Sequence, residues 1–163
     1  MIYKVKLVSQ GNAIVWAIVV LTVYIGGIHV FATSGIKNTV LLITIVISVA
    51  CVAYLFWQKF VTGRTEWLID NDQIKIVWIK KFPLADINDI ILKWDDIENI
   101  KKRFDPNFYN LVIRLSNGGK LIFYHDVLTT RDDFEEMLAK LYQTFNDKKV
   151  TANKRIESAS QND

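Results

Sequence analysis

The first 65 residues of this 163-residue chain contain no carboxylate: all 17 Asp and Glu lie at or beyond Glu66. Only the basic Lys4, Lys6, Lys37, Lys59 and Arg64 carry charge before that point. A chain that withholds acidic side chains from one end is divided between two solvents, because ionised groups are costly in an apolar one. Cysteine is almost absent too. The single Cys51 excludes an intrachain disulfide and a cysteine-based metal site built by one chain. The two histidines, His29 and His125, stand far apart, and no metal or other cofactor is expected. There is no GxSxG, HExxH, P-loop or dinucleotide fingerprint, so the sequence offers enzyme activity no positive support. A basic nucleic-acid-binding balance is also missing. From Gln58 onward 17 basic residues meet 17 acidic ones, the formal surplus of +3 being Lys4, Lys6 and Lys37, and no nucleic acid is expected as a partner.

What is present is long apolar sequence. Ala13 to Thr33 (AIVWAIVVLTVYIGGIHVFAT) holds no Asp, Glu, Lys or Arg, and at about 1.5 Å per residue it is long enough for a hydrocarbon core of roughly 30 Å. Thr39 to Trp57 (TVLLITIVISVACVAYLFW) is a second such run, ending on Tyr54, Trp57 and Lys59, side chains that favour the interface. Soluble helices carry a polar stripe, and neither run has one. The first run is also too long for a signal-peptide core. These runs predict a transmembrane hairpin with spans at 13–33 and 39–57 and an external turn at 34–38, where Ser-Gly and Lys-Asn supply turn chemistry. Lys4 and Lys6 on one flank and Lys59 and Arg64 on the other outweigh Lys37 in the turn, which places both termini, including residues 1–12, in the cytoplasm. The expected location is the inner, cytoplasmic membrane, crossed twice. Within the spans Gly26-Gly27 reads as packing and His29, near the outer end, as an interfacial anchor rather than part of an ion path.

After Arg64 the period changes to two. Glu66 to Asp70 (EWLID), a turn at Asn71-Asp72, and Gln73 to Lys80 (QIKIVWIK) with Ile74, Ile76 and Trp78 on one face predict a hairpin. A connection containing Pro83 leads to Asp89 to Lys93, Asp95-Asp96 breaks the run, and Ile97 to Phe104 resumes it up to the turn Asp105-Pro106-Asn107. Tyr109 to Ser116, with Leu111, Ile113 and Leu115 inward, pairs through Asn117-Gly118-Gly119 with Lys120 to His125, where Leu121 and Phe123 face in. A helix follows, capped by Thr129 or Thr130, with Asp132 and Asp133 in its first turn and a stripe of Phe134, Met137, Leu138, Leu141, Tyr142 and Phe145. It is expected to end near Asn146, leaving residues 147–163 as a disordered tail.

Several antiparallel strands closed by one amphipathic helix predict a mostly-β domain over residues 64–146, a partly open barrel or sheet pair capped by a C-terminal α-helix. The order of spans, EWLID-turn-QIKIVWIK, KWDDIENI, NLVIRLSNGGKLIFY and RDDFEEMLAKLYQTF resembles small bacterial membrane proteins that join a two-helix transmembrane hairpin to a pleckstrin-homology-like (PH-like) domain. That resemblance implies seven strands capped by a helix, no catalytic centre, and a role in scaffolding, partner binding or membrane-surface recognition.

The paired carboxylates Asp95-Asp96, Asp132-Asp133 and Glu135-Glu136 read as strand break, helix start and helix surface rather than as acid/base pairs. The most suggestive polar group is Lys101, Lys102 and Arg103, joined by Lys80 and Lys81 if their strand ends meet, in a basic patch for a membrane surface or a partner. Eukaryotic PH domains bind phosphoinositides with basic residues around the loop joining their first two strands. Taken as Asp70 to Asp72, that loop is acidic here, which favours a protein partner over a specific headgroup. The expected function is therefore non-enzymatic: a PH-like domain held at the cytoplasmic membrane surface for protein-partner binding or scaffolding. Its partners are the lipid bilayer, a protein of unspecified identity and, as an alternative ligand, anionic lipid headgroups. The rival reading has the spans do the work, in toxin immunity or modulation of a transporter.

Overall fold

The structure is a computed structural model that describes residues 1–34, 39–83, 85, 87–105, 108–125 and 132–160, with the backbone alone at 32, 34, 105, 108 and 152–160. It begins with a strand the sequence reading passed over. β1 (Ile2–Val8) alternates, with Tyr3, Val5 and Leu7 buried and Ile2 and Lys4 exposed, the signature of a half-buried sheet. Residues 1–12 are thus not merely an N-terminal flank. One residue, Ser9, separates β1 from α1 (Gln10–Ser34), and it caps that helix: its Oγ accepts from the Asn12 amide at 3.3 Å and its carbonyl from Ala13 at 2.9 Å.

α1 and α2 (Thr39–Phe56) are each long and apolar enough to cross a membrane. None of the α2 residues is buried, and large apolar side chains of α1 such as Ile18, Tyr24 and Ile28 are exposed, so this is no soluble core pair. The turn expected at 34–38 lies almost wholly outside the described residues. At the opposite ends the helices are tied together. The Trp16 indole donates to the Ala53 carbonyl at 3.0 Å and meets the Trp57 ring edge-on at 4.9 Å, while Asn12 Nδ2 donates to Phe60 O at 2.8 Å. A π-helical turn, Trp57–Val61, carries the chain from α2 into β2 (Thr62–Ile69), and Ser9 N donates to Val61 O at 2.9 Å.

β3 (Gln73–Lys80), β4 (Ile90–Lys93), β5 (Ile97–Asp105), β6 (Phe108–Leu115) and β7 (Lys120–His125) complete one open antiparallel sheet in the order β4-β3-β2-β1-β7-β6-β5. The chain meanders from neighbour to neighbour, and β1 joins the halves through Leu7↔His125 and Val8↔Tyr124. β4 and β5 are left as the two edges, linked by a 3-10 turn, Trp94–Asp96. The helical hairpin is therefore inserted between two paired strands, β1 and β2, of a sheet that includes residues 2–8 and 62–69. The domain start expected at 64 moves accordingly. Of the turns, Asp105-Pro106-Asn107 falls largely outside the described residues, whereas Gly118 adopts φ +83° between β6 and β7, where a side chain is rarely tolerated.

The core holds Trp67, Ile74, Ile76, Leu111 and Ile113, all fully buried, with Trp67 donating to Thr65 Oγ1 at 2.9 Å and meeting Phe123 edge-on. α3 (Phe134–Ser160) covers it with Phe134, Met137, Leu138, Leu141 and Phe145. This helix runs beyond the expected end at Asn146. The apolar stripe does stop there, but Lys148, Lys149, Ala152, Lys154, Arg155 and Glu157 are good helix formers, and no proline or glycine interrupts them. Thr129 and Thr130 lie outside the described residues. The observed N-cap position is Asp133, whose carbonyl accepts from Met137 N at 2.8 Å.

Gly63 is fixed by packing. A Cβ there would stand 2.9 Å from Trp78 Cζ3, 3.0 Å from Phe82 Cε1 and 3.1 Å from the Lys80 carbonyl. Gly63→Ala is expected to cost about 1–3 kcal/mol by overpacking, read as a lowered urea midpoint of the full chain in detergent.

Candidate functional site

The registers of β1, β2 and β3 bring three cations into one row. Lys6 stands opposite Arg64, and Arg64 opposite Lys80. Like charges directly opposed across strands destabilise a sheet, and among the described residues none of the three forms an ion pair. Burial lowers the Lys80 pKa from its ordinary value, and the charges of Arg64 and Lys6 lower it further. The Lys80 ammonium donates to the Gln58 carbonyl, in the turn that ends the second apolar helix. The row thus sits at the base of the helical hairpin. One step further along β1 and β2, Lys4 faces Glu66 and the excess charge ends. A groove of about 520 Å³ runs along these side chains and reaches Asp132 and Asp133.

Of the five basic residues singled out from sequence, Lys80 alone belongs to this row. Lys81 is exposed just past β3. Lys101, Lys102 and Arg103 lie on β5, opposite Val112, Leu111 and Asn110 of β6, with β2, β1, β7 and β6 between them and β3 in the hydrogen-bonded order. Lys102 is engaged in holding α3. Its backbone N–H donates to the Tyr142 hydroxyl at 2.7 Å and its ammonium pairs with Glu135 above the Tyr109 ring. Sequence reasoning missed Lys6 and Arg64 because it counted them only as flanking charges; the alternation of IYKVKLV was the available signal. The connection between the first two strands is the helical hairpin, and Asp70 to Asp72 joins β2 to β3. The acidic Asp70 to Asp72 therefore does not stand where the resemblance puts headgroup-binding residues, and it does not count against headgroup contact.

Comparison of the chain with protein-family models, curated proteins and solved structures finds no match. Its chemistry has to be read from its own geometry.

The pair Asp132-Asp133 is committed to structure. Asp132 Oδ2 accepts from the Lys6 amide at 2.9 Å, Asp133 Oδ2 from the Lys4 amide at 2.8 Å, and Asp133 N donates to Lys4 O at 3.1 Å. These contacts tie the start of α3 to β1. His125 Nε2 lies 2.9 and 3.0 Å from the two Asp132 oxygens, and its ring stacks on Phe134 at 4.0 Å. Burial alone would raise the Asp132 pKa, but the His125 hydrogen bond, the Lys6 and Phe134 amides and the His125 charge together hold it below the ordinary carboxylate value. Asp95 and Asp96 are exposed in the turn after β4, and Glu135 and Glu136 are exposed at the start of α3.

Proposed function

We propose that this chain is a non-enzymatic, two-span protein of the cytoplasmic membrane whose PH-like domain lies on the inner surface and grips anionic headgroups through Lys6, Arg64 and Lys80. The observation that carries the reading is the insertion of the apolar hairpin between β1 and β2. A hairpin crossing the bilayer from there holds the row at headgroup depth, with no linker to relax it. The PH-like assignment is supported by the meander of seven strands, its gap between β4 and β5, and the helix closing it. The non-catalytic reading is supported by Asp132 and Asp133, which hold β1 amides, with both Asp132 oxygens also facing His125. Among the described residues β5 has no strand beyond it, and its outer edge, where only the Lys102 amide is taken by Tyr142, favours a protein partner as a second ligand, added as a further strand and oriented by the lipid contact.

Each cation near an anionic surface contributes about 1 kcal/mol, so three are worth on the order of 100-fold in affinity at low salt. Full-length protein in neutral detergent is expected to bind a short-chain phosphatidylglycerol that much more tightly than the matching phosphatidylcholine. Lys6→Gln/Arg64→Gln/Lys80→Gln should abolish the preference; an unchanged preference would refute the headgroup contact. Topology has its own test. In a Cys51→Ser background, Ser34→Cys should react with an impermeant thiol reagent from outside the cell and Lys75→Cys should not.

A further inference from the structure

The fold sorts a charge-balanced sequence into one basic sheet face. The seven strands carry eleven Lys and Arg against three carboxylates, Glu66, Glu98 and Asp105. Of the eleven, only Lys102 turns to the side covered by α3, where its ammonium pairs with Glu135. The other ten stand on the opposite, outer face, by alternation with core residues such as Val5, Ile74, Leu92, Ile100 and Ile113 or by cross-strand register. Lys6, Arg64 and Lys80 are three of them.

A second cluster occupies the other half of this face. Arg114 of β6 stands directly opposite Lys120 of β7, and Lys101 and Arg103 follow on β5. All four are exposed, and among the described residues none forms an ion pair. Glu98, in the bulge before Asn99, is the one carboxylate that the register places beside Arg114. Like charges directly opposed weaken a sheet, and an anionic ligand lying on this face would remove that cost.

Register also fixes where the cluster lies. Val8, the last residue of β1, stands opposite Tyr124, Tyr124 opposite Asn110, and Asn110 opposite Arg103. At about 4.8 Å per strand, Arg103 is some three strands, or about 14 Å, across the sheet from the residue that precedes the Ser9 cap of α1. Lys101, then Arg114 and Lys120, lie further along, in the direction in which β1 leads into α1. The cluster is therefore level with the base of the helical hairpin. That base is itself tied to the outer face, because Lys80 Nζ and Thr62 Oγ1, both from outer-face positions, donate to the Gln58 carbonyl. A bilayer crossed by α1 and α2 is thus the polyanion nearest these cations. Ile122, 38% exposed on the same face beside Lys120, suits the boundary between headgroups and acyl chains better than a nucleic-acid backbone.

We infer that Lys101, Arg103, Arg114 and Lys120 make a second contact with anionic lipid headgroups, so that the outer sheet face meets the inner leaflet on both sides of the hairpin. The inference rests on the reading of α1 and α2 as membrane spans, and its contact is separate from that of Lys6, Arg64 and Lys80.

The test places the full chain, in a Cys51→Ser background, in nanodiscs that contain lipid with a nitroxide on its headgroup. One fluorophore is attached at Ile122→Cys on the outer face or at Gln143→Cys on the exposed side of α3. In phosphatidylglycerol the label at Ile122→Cys is expected to be quenched more strongly than the label at Gln143→Cys. Each cation near an anionic surface is worth about fivefold, so the four together favour the docked state by on the order of several hundredfold at low salt. Exchanging phosphatidylglycerol for phosphatidylcholine, or introducing Lys101→Gln/Arg103→Gln/Arg114→Gln/Lys120→Gln, should therefore bring the two labels to similar quenching, with circular dichroism checking that the sheet is retained. Lys101→Arg/Arg103→Lys/Arg114→Lys/Lys120→Arg, which keeps every charge, should preserve the contrast. Equal quenching of the two labels in phosphatidylglycerol, or a contrast that survives either the four Gln substitutions or the change of lipid, overturns the inference; equal quenching would leave this face to an acidic protein. The row is judged separately: a contrast at Ile122→Cys in a chain with no phosphatidylglycerol preference in detergent refutes the row alone, and a preference without the contrast refutes the second contact alone. A chain recovered in the aqueous phase of cells without detergent overturns the membrane reading beneath both.

Discussion

Val5→Asp is expected to unfold the sheet domain, while Ile2→Asp on the same strand leaves it folded. Val5 is 2% exposed and stands opposite Thr65, whose hydroxyl donates to the Val5 carbonyl at 3.1 Å. Aspartate there forfeits the burial of the valine, about 1.5–3 kcal/mol, and adds a desolvated carboxylate whose effective penalty is several kcal/mol. A domain of this size has roughly 5–15 kcal/mol in total, so most or all of its stability is removed. Ile2 is 55% exposed and sits at the outer end of the strand, where a substitution shifts stability by about 0.5 kcal/mol or less. Limited proteolysis of the membrane-embedded chain reads the difference: the Val5→Asp domain should be digested and the Ile2→Asp domain should resist. Equal resistance would remove β1 from the centre of the sheet.

That β1 is central explains both what the sequence revealed and what it hid. Strands β3, β6 and β7 were legible because each alternates cleanly and is bounded by Asn, Asp or Gly turns, so periodicity alone marked Ile74, Ile76, Leu111, Ile113 and Phe123 as inward. β1 alternates just as well. It abuts α1 with only Ser9 between them, however, and a basic flank beside an apolar run already has an explanation in membrane topology. Missing it moved the apparent first loop to Asp70 to Asp72 and hid the row of cations. Lys6 and Arg64 are far apart in the chain and meet only because the hairpin between them returns to the same sheet, a fact that cross-strand register carries and local pattern does not. Lys101, Lys102 and Arg103, conspicuous as a run, are divided between a helix contact on Lys102 and exposed positions on an edge strand. The helix end at Asn146 was misplaced for a different reason. The loss of an apolar stripe ends burial there, yet helix-forming residues continue the backbone.

Asp132→Ala has the second largest expected effect, because Asp132 ties the start of α3 to both β1 and His125. Among the described residues β1 pairs with β7 at two positions, and Asp132 and Asp133 accept the Lys6 and Lys4 amides, so fastening the start of α3 to the central strand. Asp132→Ala would leave the Lys6 amide and His125 Nε2 without their acceptor at a site where the Asp132 side chain is 11% exposed and that of His125 8%. Leaving two such groups without their acceptor costs about 1–3 kcal/mol each, against about 1 kcal/mol for Asp133→Ala, whose carboxylate holds a more exposed amide. The pH dependence follows from the lowered Asp132 pKa. A carboxylate with a folded pKa below its ordinary 3.8 stabilises the fold fully above that value, and the contribution is lost as the pH falls toward the folded pKa. In chemical denaturation of the full chain, the parent should therefore lose stability below about pH 4 more steeply than Asp132→Asn, which keeps the shape and one acceptor but cannot titrate. The difference between the two proteins should shrink with acid and level off at neutral pH. A difference that stayed constant through the acid range would mean that the latch works through shape alone and that the Asp132 charge contributes nothing to closing the sheet.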